Sequence, residues 1–508
     1  MSLFARKPLD ELVAEGGDEE HGLKKTLTAL DLTALGIGAI IGAGIFGTLG
    51  SATTGAGGTP AGPGVTVSIL VTAIVCGFCA LCYAEFASLV PVAGSAYTYS
   101  YATLGELVAW IIGWDLILEY AVGNIAVAIS WAAYFRQLLA GLGFEFPAWL
   151  ATDYRSTLLA AQAAADGGVA SLGPEAAVAY QAHLNHPILF GMPIVFNVLA
   201  MGITAAITWL LVRGVKESAR FNNYVVVLKI LTLVFFIAVG AFFVTPANWR
   251  PFFPGGWRGV WHGSSLIFFA YIGFDAISTA AEECQDAARD MPRGILGSLA
   301  VCTALYIAAG LVLTGMIPFA KLVGVADPLA AALAYVKQDW AAGVLAFGAV
   351  FAMTAVLLVF QLGQARIFMV MSRDGLLSPW FAKIHRRYRT PHVSTILTGL
   401  FVGLFSGIAN IDEVVQLTNI GTLFAFVLVC IGILILRERE PNRPRVFRVP
   451  FSPVTPVLGI LMCLFLMAGL PAVTWVRFVL WLALGLVVYF AYGVRHSRLR
   501  QRAAAAAR

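Results

Sequence analysis

Charge is the scarcest commodity in this 508-residue chain. Asp, Glu, Lys and Arg make up 12% of it, against about 25% in soluble domains, too little polar surface to coat a globule in water. Cysteine is scarce as well, with 7 residues. Cys76, Cys79, Cys82, Cys302, Cys430 and Cys463 lie inside apolar runs and Cys284 in a short polar connection, and no pair is placed by spacing for a structural disulfide. Cys76, Cys79 and Cys82 share a helix face, but no His or acidic partner completes a metal set there. Enzymatic signatures are missing too. There is no H-E-x-x-H and no G-x-G-x-x-G after a strand, and His21, His183, His186, His262, His385, His392 and His496 all fall in tails, connections or span ends. These absences exclude a secreted disulfide scaffold and a nucleic-acid-binding protein. They leave no reactive constellation for an enzyme, and neither a cofactor nor a metal is expected.

What is present is apolar sequence, 59% of the chain. A helical span needs about 20 apolar residues, and reading apolar runs against breakers gives twelve segments: 30–51, 65–89, 104–136, 188–212, 222–244, 260–284, 294–317, 340–372, 392–409, 413–437, 453–470 and 474–495. Residues 1–29 read as a polar tail with no removable signal peptide. With that tail on the cytoplasmic side, 24 of the 33 basic residues fall inside and 6 outside, and Arg136, Lys229 and Arg366 lie within segments. That asymmetry predicts both termini in the cytoplasm and a plasma (inner) membrane protein embedded in the lipid bilayer. The connection 141–187 is then external, with a short surface helix in its Ala-rich part and no assigned chemistry.

Two segments carry signs of interruption. The first reads Gly36-Ile-Gly38-Ala-Ile-Ile-Gly42-Ala43-Gly44-Ile45-Phe46-Gly47, and five glycines in twelve residues each cost about 1 kcal/mol in a helix relative to alanine. Two readings stand, an opened helix and a glycine face for close packing. Five segments later, Phe268-Phe269-Ala270-Tyr271-Ile272-Gly273-Phe274-Asp275 sets aromatics, a glycine and a carboxylate in mid-span. Interruptions at matching positions point to an inverted-repeat transporter, with repeats over 30–244 and 260–437, two further helices over 453–495 and a basic tail at 496–508. Freed N–H groups at a break suit a carboxylate, and freed carbonyls suit an ammonium or a cation.

These residues resemble the amino acid–polyamine–organocation superfamily, and within it the bacterial cationic amino acid transporter branch. The resemblance rests on Gly42-Ala43-Gly44-Ile45-Phe46, Tyr83-Ala84-Glu85-Phe86, Pro91 to Tyr99, Gly113-Trp114-Asp115 to Glu119-Tyr120, Phe269 to Asp275, Glu282-Glu283 with Pro292-Arg293-Gly294-Ile295, and Arg366 with Met371-Ser-Arg373-Asp374-Gly375. It implies an all-α membrane protein of twelve transmembrane helices, with a leucine-transporter-like 5+5 inverted repeat, helices 1 and 6 broken, and two extra helices. It also implies secondary active amino acid transport by alternating access, the substrate lying between the first and sixth spans. Carried over by position, Ile41, Ala43 and Gly44 present backbone to the substrate carboxylate. Phe269, Ala270 and Ile272 receive the amino group and cover the site, with Phe269 as an aromatic gate or an ordinary packing residue. Gly42 and Gly273 form the breaks.

Ionisable groups inside spans are costly and are functional candidates. Lys229 lies roughly 10 Å into the fifth span at 1.5 Å per residue. Snorkelling to the interface is one reading; proton coupling, implied by the family position against the broken first helix, is the other. Glu119, one turn after Asp115, has three readings: a proton route, a partner for the side chain of a cationic substrate, or a structural hydrogen bond to a neighbouring helix. Asp275 either joins the gate or supports the sixth-span break. Glu85 reads as architectural and Arg366 as a helix-packing or snorkelling residue. Met353, with Thr354, Leu357 and Asn419, is placed for side-chain selection; Met353 fills the volume a long cationic side chain needs and leans toward small neutral amino acids. A channel is disfavoured because ionisable groups are few and scattered. A sodium-coupled or exchange-type carrier and a non-transporting sensor on the same scaffold remain as rivals, and the sequence names no protein partner.

Overall fold

The structure, a computed structural model, describes residues 3–8, 27–89, 95–169, 172–189, 192–214, 219–278 and 284–506. Pro91 to Gly94 and Glu282-Glu283 therefore lie outside the described residues.

The first expected segment is two helices, α1 (Ala29–Ile40) and α2 (Ala43–Thr54), bent by 47° at their junction. A capping box starts α1: Thr28 N–H donates to Asp31 Oδ2 at 3.0 Å and Asp31 N–H to Thr28 Oγ1 at 3.4 Å, satisfying donors that a helix start leaves unpaired. Next come α3 (Val65–Leu89), the short α4 (Ser95–Thr103) and α5 (Glu106–Gly141), whose ladder loosens into a π turn at Leu118–Val122.

The Ala-rich connection folds as α6 (Tyr154–Gly167), capped by Asp153, followed by α7 (Pro174–Asn185). The fourth segment starts later than expected. Residues Ile188–Leu189 (β1) and Met192–Pro193 (β2) pair as a two-residue hairpin, and α8 (Val198–Arg213) begins only where Asn197 Oδ1 accepts the Ala200 N–H at 3.1 Å. Pro187 and Pro193, lacking N–H donors, discourage an earlier helical start.

The chain continues through α9 (Ala219–Ala241), α10 (Gly256–Ile267), α11 (Ala287–Met316), α12 (Pro328–Tyr335), α13 (Asp339–Arg373), α14 (His392–Ile408), α15 (Ile411–Arg439), α16 (Val454–Ala468), α17 (Ala472–Val488) and α18 (Arg498–Ala506). The sixth segment is shorter as an α-helix than expected, ending at Ile267 rather than continuing to 284. Among the described residues, eight helical spans and the bent α1–α2 pair are long and apolar enough to cross a membrane. The shorter apolar helices α8, α14 and α16 have 16, 17 and 15 residues and fall at the fourth, ninth and eleventh expected segments.

Two packing groups organise the bundle. α11 lies along α1 and α3, with α10 against α2 and α3; α13 lies along α5 and α14, and α14 along α8. α9 touches α1, α11 and α13, and α15 touches α3, α5 and α16. Both described termini meet at one end. Leu107 N–H donates to Leu3 O at 3.1 Å and Glu106 N–H to Ala5 O at 2.9 Å, while Ser497, Tyr489 and Arg500 converge on the Glu106 carboxylate.

The seven cysteines are free. Folding nonetheless brings Cys79 of α3 and Cys463 of α16 to a sulfur separation of 3.3 Å, a juxtaposition that sequence spacing does not contain.

Candidate functional site

Backbone accounting locates the site. An α-helix ends with four carbonyls that lack helical donors, and starts with four such N–H groups. At the end of α1, Ile41 N–H still reaches Ile37 O at 2.9 Å, and Phe46 is the first residue of α2 whose N–H finds a helical acceptor, Gly42 O at 3.2 Å. Between them lie freed carbonyls on one side and the first N–H groups of α2 on the other.

The second break follows α10. Phe268–Tyr271 tighten into a 3-10 turn, Ile272 is extended (φ −60°, ψ 135°) and Gly273 adopts φ +116°, a conformation glycine reaches without the penalty of a Cβ. A Cβ there would also stand 2.9 Å from the Ala39 carbonyl group, and one on Gly44 would strike Ala270 Cα. The two breaks thus cross at contact distance, α2 starting at Ala270 and α1 ending beside Gly273. That explains both glycines at once.

Ile41, Gly42, Ala43, Gly44, Phe269, Ala270, Ile272 and Met353 are all buried, Phe269 with 5% exposure. The facing surfaces of the two breaks are therefore packed away from solvent in this conformation. Phe269 lies beside Gly123 of α5, where Phe360 and Thr418 also approach. On α13, Val356, one turn after Met353, is the residue that abuts Gly42. Thr354 accepts the Trp131 indole N–H at 2.9 Å, and Asn419 donates to Ser265 O at 2.8 Å and Leu266 O at 3.1 Å. Asn419 therefore anchors α10 to α15 through its amide, a bond the sequence reading did not foresee.

Lys229 is fully buried on α9, and its Nζ donates to Gly38 O, one of the freed carbonyls, at 2.5 Å. Snorkelling is not its conformation. Cys302 of α11 is the nearby polarisable group, and no carboxylate pairs with Lys229 among the described residues. Glu119 sits in the π turn of α5, and neither of its oxygens has a hydrogen bond at ordinary geometry. It faces Asp275 and Thr422, with Tyr83 close by, and Asp275 accepts from Tyr120 at 3.3 Å. Glu119 and Asp275 are thus brought together, whereas Lys229 and Glu119 are not. Asp115 lies one turn earlier against Gly421, its oxygens also without partners.

Glu85 is bound by Arg437 at 3.0 and 2.5 Å, by Arg445 at 3.2 Å and by the Val449 N–H at 2.7 Å, the architectural role its sequence position indicated. Arg366 is exposed. The sequence reading missed Tyr306 of α11, whose hydroxyl lies 3.0 Å from Ile40 O and 3.1 Å from Ala270 O. The available signal was a phenol in the middle of an apolar span, since a buried Tyr O–H needs an acceptor.

The amino acid permease family profile matches residues 27–491. A branched-chain amino acid permease of Bacillus subtilis is 47% identical over 98% of this chain and 99% of its own, and a methylthioribose transporter of the same organism is 44% identical over 98% and 100%. The vacuolar cationic amino acid transporter 4 of Arabidopsis thaliana is 34% identical over 87% of this chain and 68% of its own.

Proposed function

The chain belongs to the amino acid permease family, a transport protein of the membrane rather than an enzyme, and on that premise we propose that it is a proton-coupled symporter of neutral aliphatic amino acids. It works by alternating access in the plasma membrane, with both termini cytoplasmic and two inverted repeats enclosing the substrate. The substrate carboxylate meets the N–H groups at the start of α2, around Ala43 and Gly44, and its ammonium meets the carbonyls of Phe269, Ala270 and Ile272. Phe269 covers the site.

The observation that carries the coupling reading is Lys229 against Gly38 O. A cationic side chain there occupies a freed carbonyl of the broken helix, where a bound metal cation would otherwise find an oxygen ligand. Having no carboxylate partner among the described residues, it can lose its proton without stranding a counter-ion. Glu119 and Asp275 form the second candidate proton-handling group, where α5 meets the end of the sixth span. The relatives' names differ in cargo, so substrate choice rests on the lining, where Met353 takes up volume and no acidic side chain is among the residues placed around the substrate side chain.

The deciding experiment is uptake into sodium-free proteoliposomes under an imposed pH gradient, over leucine, isoleucine, valine, alanine, arginine and methylthioribose. Gradient-driven uptake of the neutral amino acids is the expected result. Sodium dependence, preference for arginine or methylthioribose, or binding without counterflow would each overturn a stated part of the proposal. Met353→Ser should widen the side-chain space and admit arginine.

A further inference from the structure

The Tyr306 side chain hydrogen-bonds to both breaks. Ile40 O is the last carbonyl of α1, and Ala270 O belongs to the 3-10 turn that ends the sixth span's outer part. Both have lost helical donors, and the Tyr306 hydroxyl reaches them at 3.0 and 3.1 Å. The phenol is held firmly. It is fully buried, and its ring meets that of Tyr271 edge-on at 5.5 Å. Tyr271 is in turn fixed by Ile69 O and Thr303 Oγ1, both at 3.2 Å.

A hydroxyl has one proton, and a carbonyl oxygen has two lone pairs. Tyr306 therefore serves one carbonyl at a time and leaves each with capacity for a second donor. We propose that Tyr306 is a positioning residue for transport, a splint that fixes the separation of the two broken helices before the amino acid arrives and turns its hydroxyl hydrogen bond wholly to Ile40 O when the substrate ammonium takes Ala270 O. This rests on the placement of the substrate between the breaks. Preorganisation of this kind lowers the cost of binding, so its loss appears in KM.

The test is leucine counterflow in proteoliposomes by Tyr306→Phe, which keeps the ring and removes the donor, with Tyr271→Phe as the neighbouring control. The expected result is a KM raised about tenfold, the cost of ordering two breaks no longer splinted, with maximal rate within about twofold. Discrimination against 4-methylpentanoate, which is leucine without its amino group, should narrow. Tyr271→Phe should leave KM and discrimination unchanged. An unaltered KM and discrimination in Tyr306→Phe, with or without a lowered melting temperature, overturns the proposal.

If Tyr306→Phe does not fold, 4-aminophenylalanine at position 306 carries the test. Two N–H donors end the competition between the carbonyls, so discrimination against 4-methylpentanoate must change, and native discrimination overturns the proposal. Failure of the unsubstituted protein to exchange leucine or any other amino acid sinks the functional reading instead, a result distinct from either variant's.

Discussion

Glu85 and Glu106 are as deeply buried as Glu119 and Asp275, yet the two pairs live in opposite surroundings. Glu85 is held by two arginines and a backbone N–H. Glu106 receives Arg500 at 2.7 Å, Tyr489 at 2.8 Å and Tyr101 at 3.2 Å, together with Ser497. Glu119 has no hydrogen bond of ordinary geometry, and Asp275 has one, from Tyr120. A buried charge is tolerated when it is paired and hydrogen-bonded. The first pair therefore reads as masonry that ties the chain ends and the α15–α16 connection to the bundle. The second keeps three of its four oxygens unspent, beside the broken sixth span.

The sharpest way to break this contrast is to remove one member of each pair. Glu85→Ala strands Arg437 and Arg445, and breaking a buried ion pair in this way costs about 3–5 kcal/mol. The expected outcome is a large fall in melting temperature and in yield of folded protein in detergent. Glu119→Gln, which takes no partner from any neighbour, should leave the melting temperature close to native. Equal losses of stability in the two variants would dissolve the distinction between them.

Lys229 extends the comparison to a cation. Lys229→Ala removes the donor to Gly38 O, and pH-gradient-driven uptake should fall to the level of liposomes without protein while substrate binding, followed by thermal shift, persists in part. Undiminished gradient-driven uptake would refute the coupling role. Glu119→Gln should act more mildly, keeping exchange at fixed pH and flattening the response of uptake to external pH. An unchanged pH profile would return Glu119 to a structural role.

Much of this was legible in the sequence. The glycines of the first segment gave the α1–α2 break because several helix-weakening residues cluster there, and Gly273 gave the second break through its place among aromatics. The span positions followed from apolar length, with errors where prolines near 187–193 delayed α8 and where the sixth span abandoned α-helical geometry at Phe268. The pairings were not legible. Nothing in the spacing of Tyr306, Ile40 and Ala270 says that one hydroxyl lies between two breaks, and Glu119 shows no local sign of the π turn that carries it. Such contacts join residues far apart in the chain, and helical periodicity has no information about them.

Asp153 offers the gentlest test, since it is a buried carboxylate outside the membrane spans and intermediate between the two classes. It accepts the N–H and the hydroxyl of Ser156, both at 2.7 Å, and Ser156 in turn accepts from Asn410 at 2.9 Å, tying α6 to the residue that caps α15. Burial pushes the Asp153 carboxyl up to about 7 from its ordinary 3.8, against the opposing pull of the Ser156 bonds and with a small contribution from Glu413. The docked form thus keeps a proton between those values that an undocked α6 would release. Docking is then strongest at acid pH and weakens as pH rises through the window from about 4 to 7. Amide exchange over Tyr154–Gly167, corrected for intrinsic rates, should be slower at pH 5 than at pH 8, and Asp153→Asn should remove the difference. Equal protection at both pH values in the native protein would place Asp153 with the fully paired carboxylates.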